Sequence, residues 1–187
     1  MQTRDIPNVI SSMRIVLVLP IVWLLATREF SFALALFFIA GLSDAVDGYL
    51  ARRNHWRSRL GSILDPLADK ILLVSSFVVL SWVELLPVWL LAIVILRDTV
   101  IVVGGLVYHY SIERFDMEPS LLSKLNTFLQ ILLIFVVVFS AGMSPLHAWV
   151  IELIMYSVAS ITLISGLNYI VVWGQRAHHA NTSSDIG

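Results

Sequence analysis

Six long apolar stretches dominate the chain, and they limit what it can fold into. They run Ile6–Ala26, Phe30–Leu50, Ile71–Val83, Val88–Tyr108, Leu121–Ala141 and Leu146–Trp173. A bilayer core about 30 Å thick needs about 20 helical residues per crossing, so each stretch is a candidate transmembrane helix. The third is short, and it reaches full length only if its helix begins before Asp65. Hydrophobic residues make up 58% of the 187 positions and charged residues 13%, against a usual charged share of about 25%. The mean hydropathy is +0.87. One soluble core of this size cannot hide that much apolar surface, so an ordinary soluble protein and a disordered one are both excluded. No stretch alternates with the period of two that a β-barrel needs. The predicted fold is an all-α integral membrane protein with six transmembrane helices and an N-terminal interfacial segment around Arg14. Residues 1–173 form its membrane domain, and the polar segment 174–187 is expected to be a disordered tail.

Charge sets orientation and excludes partners. There are 12 Lys and Arg residues. Placing the N-terminus in the cytoplasm puts Arg4, Arg14, Arg52, Arg53, Arg57, Arg59, Lys70, Arg114, Lys124 and Arg176 on that side. Only Arg28 falls on the other side, and Arg97 lies inside the fourth stretch. The positive-inside rule then places both termini in the cytoplasm. Trp82 and Trp89 flank the outer turn at Pro87, where an aromatic belt is expected. A net charge of −1 argues against a nucleic-acid partner. The chain has no cysteine, which removes disulfides, thiolate metal sites and a cysteine nucleophile. Neither a cleaved signal nor an Arg-rich transit segment precedes the first stretch, so the expected location is a bacterial inner membrane.

The chemistry concentrates in Ser43–Lys70, SDAVDGYLARRNHWRSRLGSILDPLADK. Asp44 and Asp47 are three apart, and Asp65 and Asp69 are four apart, so each pair shares a helix face. The basic loop between them makes the helices antiparallel neighbours with both pairs at one depth. Four converging carboxylates repel one another and lose hydration near hydrocarbon. Divalent cations such as Mg²⁺ or Mn²⁺, two per site, would neutralise them through hard oxygen ligands. Two such ions suit an in-line phosphoryl displacement. Gly48, Ala51 and Gly61 leave room for a ligand to approach the backbone, and Arg52 can hold a diphosphate with both arms of its guanidinium. The plainer alternative is a set of solvated helix-end charges, with Asp65 capping a helix that opens on Pro66. A single Asp would fit that reading. Four interleaved with Gly, Ala and Arg do not.

From Asp44 to Asp69 the segment reads D-x2-D-G-x2-A-R-x8-G-x3-D-x3-D without a gap. This pattern resembles the signature of the CDP-alcohol phosphotransferases. The resemblance implies six transmembrane helices, a homodimer, a site at the cytoplasmic surface and a CDP-linked lipid donor. The phosphatidyl group would pass to an acceptor hydroxyl with release of CMP. It also implies that Asp44, Asp47 and Asp65 are metal ligands, and that Asp69 is the general base and touches the second metal. Gly48, Ala51, Arg52, Ser58 and Gly61 would lie around the cytidine diphosphate. IPNVISSMR at residues 6–14 and SILDPLADK at 62–70 are similar to both CMP-forming cardiolipin synthases and phosphatidylglycerophosphate synthases. Leu96–Asp98 and Pro119–Gln130 look more like the former, because Ser123 and Asn126 stand where the latter carry Gly and a second Lys. The resemblance therefore favours phosphatidylglycerol over glycerol 3-phosphate as the acceptor for CDP-diacylglycerol.

Other polar residues divide between function and structure. Arg97 and Asp98 are intramembrane charges and functional candidates for that reason; the bland alternative ties Arg97 to a carboxylate on another helix. Lys124, Asn126, Arg97 and Arg114 are candidates for the acceptor phosphate, and Asn8 for the nucleotide. A cation transporter using the Asp cluster is a competing class, but no ladder of acids continues outward from the cluster.

Overall fold

The computed structural model describes residues 6–53, 61–111 and 121–184, with side chains for 16–43, 68–104 and 121–169. Six helices make up the described chain: α1 Ile6–Ala26, α2 Phe30–Arg53, α3 Gly61–Trp82, α4 Val88–Ser111, α5 Leu121–Gly142 and α6 Ala148–Ser184. They coincide with the six apolar stretches. α3 begins before Asp65, which is the condition for its reaching full length, so Asp65 lies inside the helix and does not cap it. α6 continues as helix through Ser184. After Gly174 that segment has no further Gly or Pro before Ser184 to stop it, and Gln, Arg and Ala are good helix formers.

The chain divides into two compact units, Met1–Pro87 with Ile134–His147, and Val88–Leu133 with Ala148–Gly187. In the first, α1 packs against both α2 and α3. Its core holds Ile21, Leu25, Ala33, Phe77, Leu80 and Val138. In the second, α4 packs against α6, with Leu90, Val94, Leu133 and Val158 buried.

The surface of both units is apolar. Leu19, Phe32 and Trp82 are exposed in the first unit, and Leu96, Phe128 and Leu167 in the second. Arg97, Asp98, Asn126, Gln130, Thr162 and Ser165 are buried instead. Soluble monomers rarely expose apolar area on this scale, whereas apolar-out, polar-in packing suits hydrocarbon. Leu121–Gly142 and Ala148–Tyr169 are each long and apolar enough to cross a bilayer. Hydroxyls on the exposed faces are satisfied within their own helices. Thr99 donates to the Ile95 carbonyl, Ser157 to Leu153 and Ser160 to Tyr156. Without water nearby, such back-bonding replaces hydration.

Two helix ends in the first unit close in the same way. Beyond α1, Glu29 N–H donates to Leu24 O at 2.8 Å and Arg28 N–H to Leu25 O at 3.2 Å, with Arg28 at φ 64°. Beyond α3, Leu85 N–H donates to Leu80 O at 2.9 Å and Glu84 N–H to Ser81 O at 3.2 Å, with Glu84 at φ 65°. Both are Schellman motifs with a left-handed residue after the cap. The Arg28 side chain also donates to the Val83 carbonyl at 3.5 Å, so one helix end supplies a donor to the other's free carbonyls. The end of α5 is held by Ser31, whose Oγ donates to the Gly142 carbonyl at 2.7 Å.

Gly142 is needed there because the α5 backbone lies directly on the start of α2. A Cβ at that position would sit 2.8 Å from both Phe30 Cβ and Ser31 N. Gly142→Ala should therefore cost about 1–3 kcal/mol, read as a lowered midpoint of thermal unfolding in detergent. An unchanged midpoint would show that the contact yields freely.

Candidate active site

Asp44 and Asp47 lie on the later turns of α2, and Asp65 and Asp69 on the early turns of α3. Continuous helix through both segments realises the three- and four-residue spacings as helical register. Because α1 packs on both helices, one element supports the two that carry the acids. Ala68 is fully buried, while its neighbour Asp69 is exposed and Lys70 half-buried. The side chains of Asp44, Asp47 and Asp65 lie outside the described residues, as do those of Gly48, Ala51, Arg52, Gly61 and Asn8, whose backbones are helical. Ser58 and Arg114 lie outside the described residues altogether. The donor set fits a hard divalent cation, since each acid brings oxygen ligands only.

A second polar constellation centres on Arg97. Its NH1 donates to Asp98 Oδ1 at 2.9 Å, and its NH2 donates to Ser123 Oγ at 2.7 Å and to Ser165 Oγ at 2.9 Å. The guanidinium carbon lies 6.0 Å from the centroid of the Tyr169 ring, within cation–π range. A Cβ on Gly166 would meet Arg97 Cγ at 3.5 Å, so α6 passes close along the Arg stem. Arg97 thus ties α4 to α5 and α6, with the charge neutralised by its own neighbour in sequence. The expected structural link therefore exists, but its carboxylate is on the same helix and the other helices contribute hydroxyls.

The remaining acceptor candidates divide. Asn126 is fully buried, and its Oδ1 accepts from Thr162 Oγ1 at 2.7 Å. Lys124 is exposed in the first turn of α5. Thr127 donates back to the Ser123 carbonyl. Sequence reasoning passed over Gln130, Thr162 and Ser165, all of them buried. Gln130 follows Asn126 by one helical turn, and a Gln inside an apolar run was the available signal.

Removing the Arg97 side chain would take from the buried Asp98 carboxylate the guanidinium that lies 2.9 Å from it. Arg97→Ala should destabilise by about 3–5 kcal/mol, and Arg97→Lys should recover only part of this, because an ammonium lacks the planar fork that reaches three partners. Thermal unfolding of the three proteins in one detergent tests this; full recovery by Lys would show that charge alone matters.

The sequence profile of the CDP-alcohol phosphatidyltransferases matches residues 4–173. The chain is similar to the CMP-forming cardiolipin synthase of Homo sapiens, 35% identical over 69% of this chain and 48% of that one. It is also similar to the CMP-forming cardiolipin synthase of Streptomyces coelicolor, 38% identical over 52% of this chain and 48% of that one. The CDP-diacylglycerol–glycerol-3-phosphate 3-phosphatidyltransferase of Bacillus subtilis is 31% identical over 74% of this chain and 67% of its own length. The chain spans about half the length of the two cardiolipin synthases. With a match across nearly all of its length, and with the Asp-rich motif carried on two continuous helices, the chain belongs to the CDP-alcohol phosphatidyltransferase family.

Proposed function

We propose that the protein transfers a phosphatidyl group from CDP-diacylglycerol to a hydroxyl of phosphatidylglycerol, giving cardiolipin and CMP. The observation that carries this is the unbroken Asp, Gly and Arg pattern from Asp44 to Asp69, set in helical register on α2 and α3. Asp44, Asp47, Asp65 and Asp69 would hold two Mg²⁺ or Mn²⁺ ions. When bound, the ions supply positive charge to the diphosphate and to the departing CMP. Asp69 takes the proton of the acceptor hydroxyl, which is a weak nucleophile until that proton leaves. The acceptor oxygen forms a bond to the phosphatidyl phosphorus, and the bond from that phosphorus to the CMP oxygen breaks. Arg52 holds the diphosphate, while Gly48, Ala51, Ser58 and Gly61 lie around the nucleotide and Asn8 reaches it. No Cys is present for a covalent route, and direct attack needs none.

The Arg97 node favours phosphatidylglycerol as the acceptor. Glycerol 3-phosphate is small and doubly charged, so its site should present free cations. Arg97 is already committed to Asp98 and two serines, and Asn126 to Thr162. Among the described acceptor candidates, that leaves Lys124, which is exposed. The relatives named cardiolipin synthases lean the same way, and the Bacillus subtilis relative supports glycerol 3-phosphate as a second reading.

We further propose a homodimer in a bacterial inner membrane, with both termini and the acidic cluster facing the cytoplasm. The asymmetry of basic residues supports this orientation. The chain has no native Cys, so an Asn54→Cys probe should be labelled only after the membrane is permeabilised; labelling from outside intact cells would reverse the topology. Acceptor choice is tested with purified protein, CDP-diacylglycerol and a divalent cation, offering each acceptor in turn. Cardiolipin from phosphatidylglycerol is expected. Phosphatidylglycerophosphate from glycerol 3-phosphate, with no cardiolipin, would make the second reading correct.

A further inference from the structure

Trp149, Glu152 and Tyr156 follow one another at spacings of three and four near the start of α6, so they share one helix face. All three are exposed. Trp89, the second residue of α4, joins them from the neighbouring helix. Its ring stacks on Tyr156 with centroids 6.1 Å apart and planes 21° from parallel. Side chains on a helix lean toward its N-terminus, which carries Tyr156 over the turn that holds Glu152. The Glu152 carboxylate has no hydrogen-bond or ion-pair partner among the described residues. An aromatic belt accounts for rings at a membrane surface, but not for an acid set between them. The helix dipole does not account for it either. That effect fades within the first turn, and the first turn of α6 has no acid.

Residues Ala148–Tyr169 are long and apolar enough to cross a bilayer. Glu152 then sits about 6 Å along the axis from the start of that crossing, at 1.5 Å per residue, within reach of the headgroups. A carboxylate at the edge of hydrocarbon is costly until it meets a cation. The chain is short of cations there. Six alternating crossings put residues 27–29, 83–87 and 143–147 on the side where α6 begins, and these segments hold one Lys or Arg, Arg28, against Glu29 and Glu84. The Arg28 guanidinium is used on the Val83 carbonyl. A second copy of the chain would bring the same shortage, so the cation has to come from the lipid. We propose that Glu152, Trp149, Tyr156 and Trp89 hold the primary ammonium of a zwitterionic phospholipid headgroup. A quaternary ammonium gains chiefly from several aromatic walls, and here Trp89 and Tyr156 spend one face each on the other. A primary ammonium instead donates a charge-assisted hydrogen bond to the carboxylate. The bound lipid ties the start of α4 to α6. The inference needs only that α6 crosses the bilayer, and it is independent of which acceptor the enzyme uses.

The test is thermal unfolding of the purified full chain in detergent micelles doped with phosphatidylethanolamine, phosphatidylcholine or phosphatidylglycerol of the same acyl chains. Each shift is measured against the same protein without added phospholipid, so a change in baseline stability does not enter. Phosphatidylethanolamine should raise the midpoint of the parent by about 2–4 °C. Glu152→Gln keeps the shape and removes the charge, and should abolish that gain. Trp149→Leu should weaken it. The shifts with phosphatidylcholine and with phosphatidylglycerol should be the same in parent and Glu152→Gln. Both variants should release CMP from CDP-diacylglycerol at the parental rate when phosphatidylethanolamine is absent. Native mass spectrometry of protein taken from membranes should show phosphatidylethanolamine retained by the parent and lost from Glu152→Gln. An equal gain from phosphatidylethanolamine in parent and Glu152→Gln would overturn the inference and leave only an aromatic belt. A Glu152-dependent gain of the same size from phosphatidylcholine would overturn the choice of a primary ammonium. A changed oligomer mass in Glu152→Gln, with the phosphatidylethanolamine gain intact, would assign this face to a second copy of the chain.

Discussion

A guanidinium buried among apolar helices must find its counter-charge and its acceptors on the spot, and Arg97 shows what that requires of the fold. Its partners are Asp98 on α4, Ser123 on α5 and Ser165 on α6, with Tyr169 alongside. Desolvating such a group costs several kcal/mol, which the hydrogen bonds offset only if all three helices keep their register. The close pass of Gly166 follows from the same demand. Apolar side chains cannot specify that register, because lipid receives them equally well from any direction.

The acidic helices meet the opposite problem. Four carboxylates on α2 and α3 bring like charge into one short segment, Asp44 to Asp69. Like charges at short range raise one another's energy, and in the proposed site a divalent cation would offset that repulsion. The first unit gives these two helices their support. α1 supports both acidic helices, and the paired Schellman ends and the Ser31–Gly142 bond fasten the opposite ends of α1, α2, α3 and α5. Sites built on packed helices hold geometry better than sites on loops.

Much of this was legible in the sequence. The helices follow the apolar stretches because backbone in hydrocarbon must satisfy its own hydrogen bonds. The start of α3 followed from the length a crossing needs. A polar sequence says where lipid stops and not where a helix stops, and α6 runs on through Ser184. The motif from Asp44 to Asp69 pointed to the chemistry because its spacing is helical. Arg97 was harder to read. Adjacent residues on a helix do not normally face each other, so the sequence pointed Arg97 to a carboxylate on another helix, and the serines that complete the node are distant in sequence. Gln130 escaped notice because one amide in an apolar run gives no clue to whether its donor is met.

The central claim is that four aspartates act as one metal-holding unit for phosphatidyl transfer. The most direct test is CMP release from CDP-diacylglycerol by the purified full chain and by Asp44→Ala, Asp47→Ala, Asp65→Ala and Asp69→Ala, each shown to be folded by its unfolding transition. Every single variant should lose turnover by orders of magnitude, and chelator should silence the parent as completely. Near-parental CMP release by any folded member of the four, or by the parent in chelator, would contradict the account.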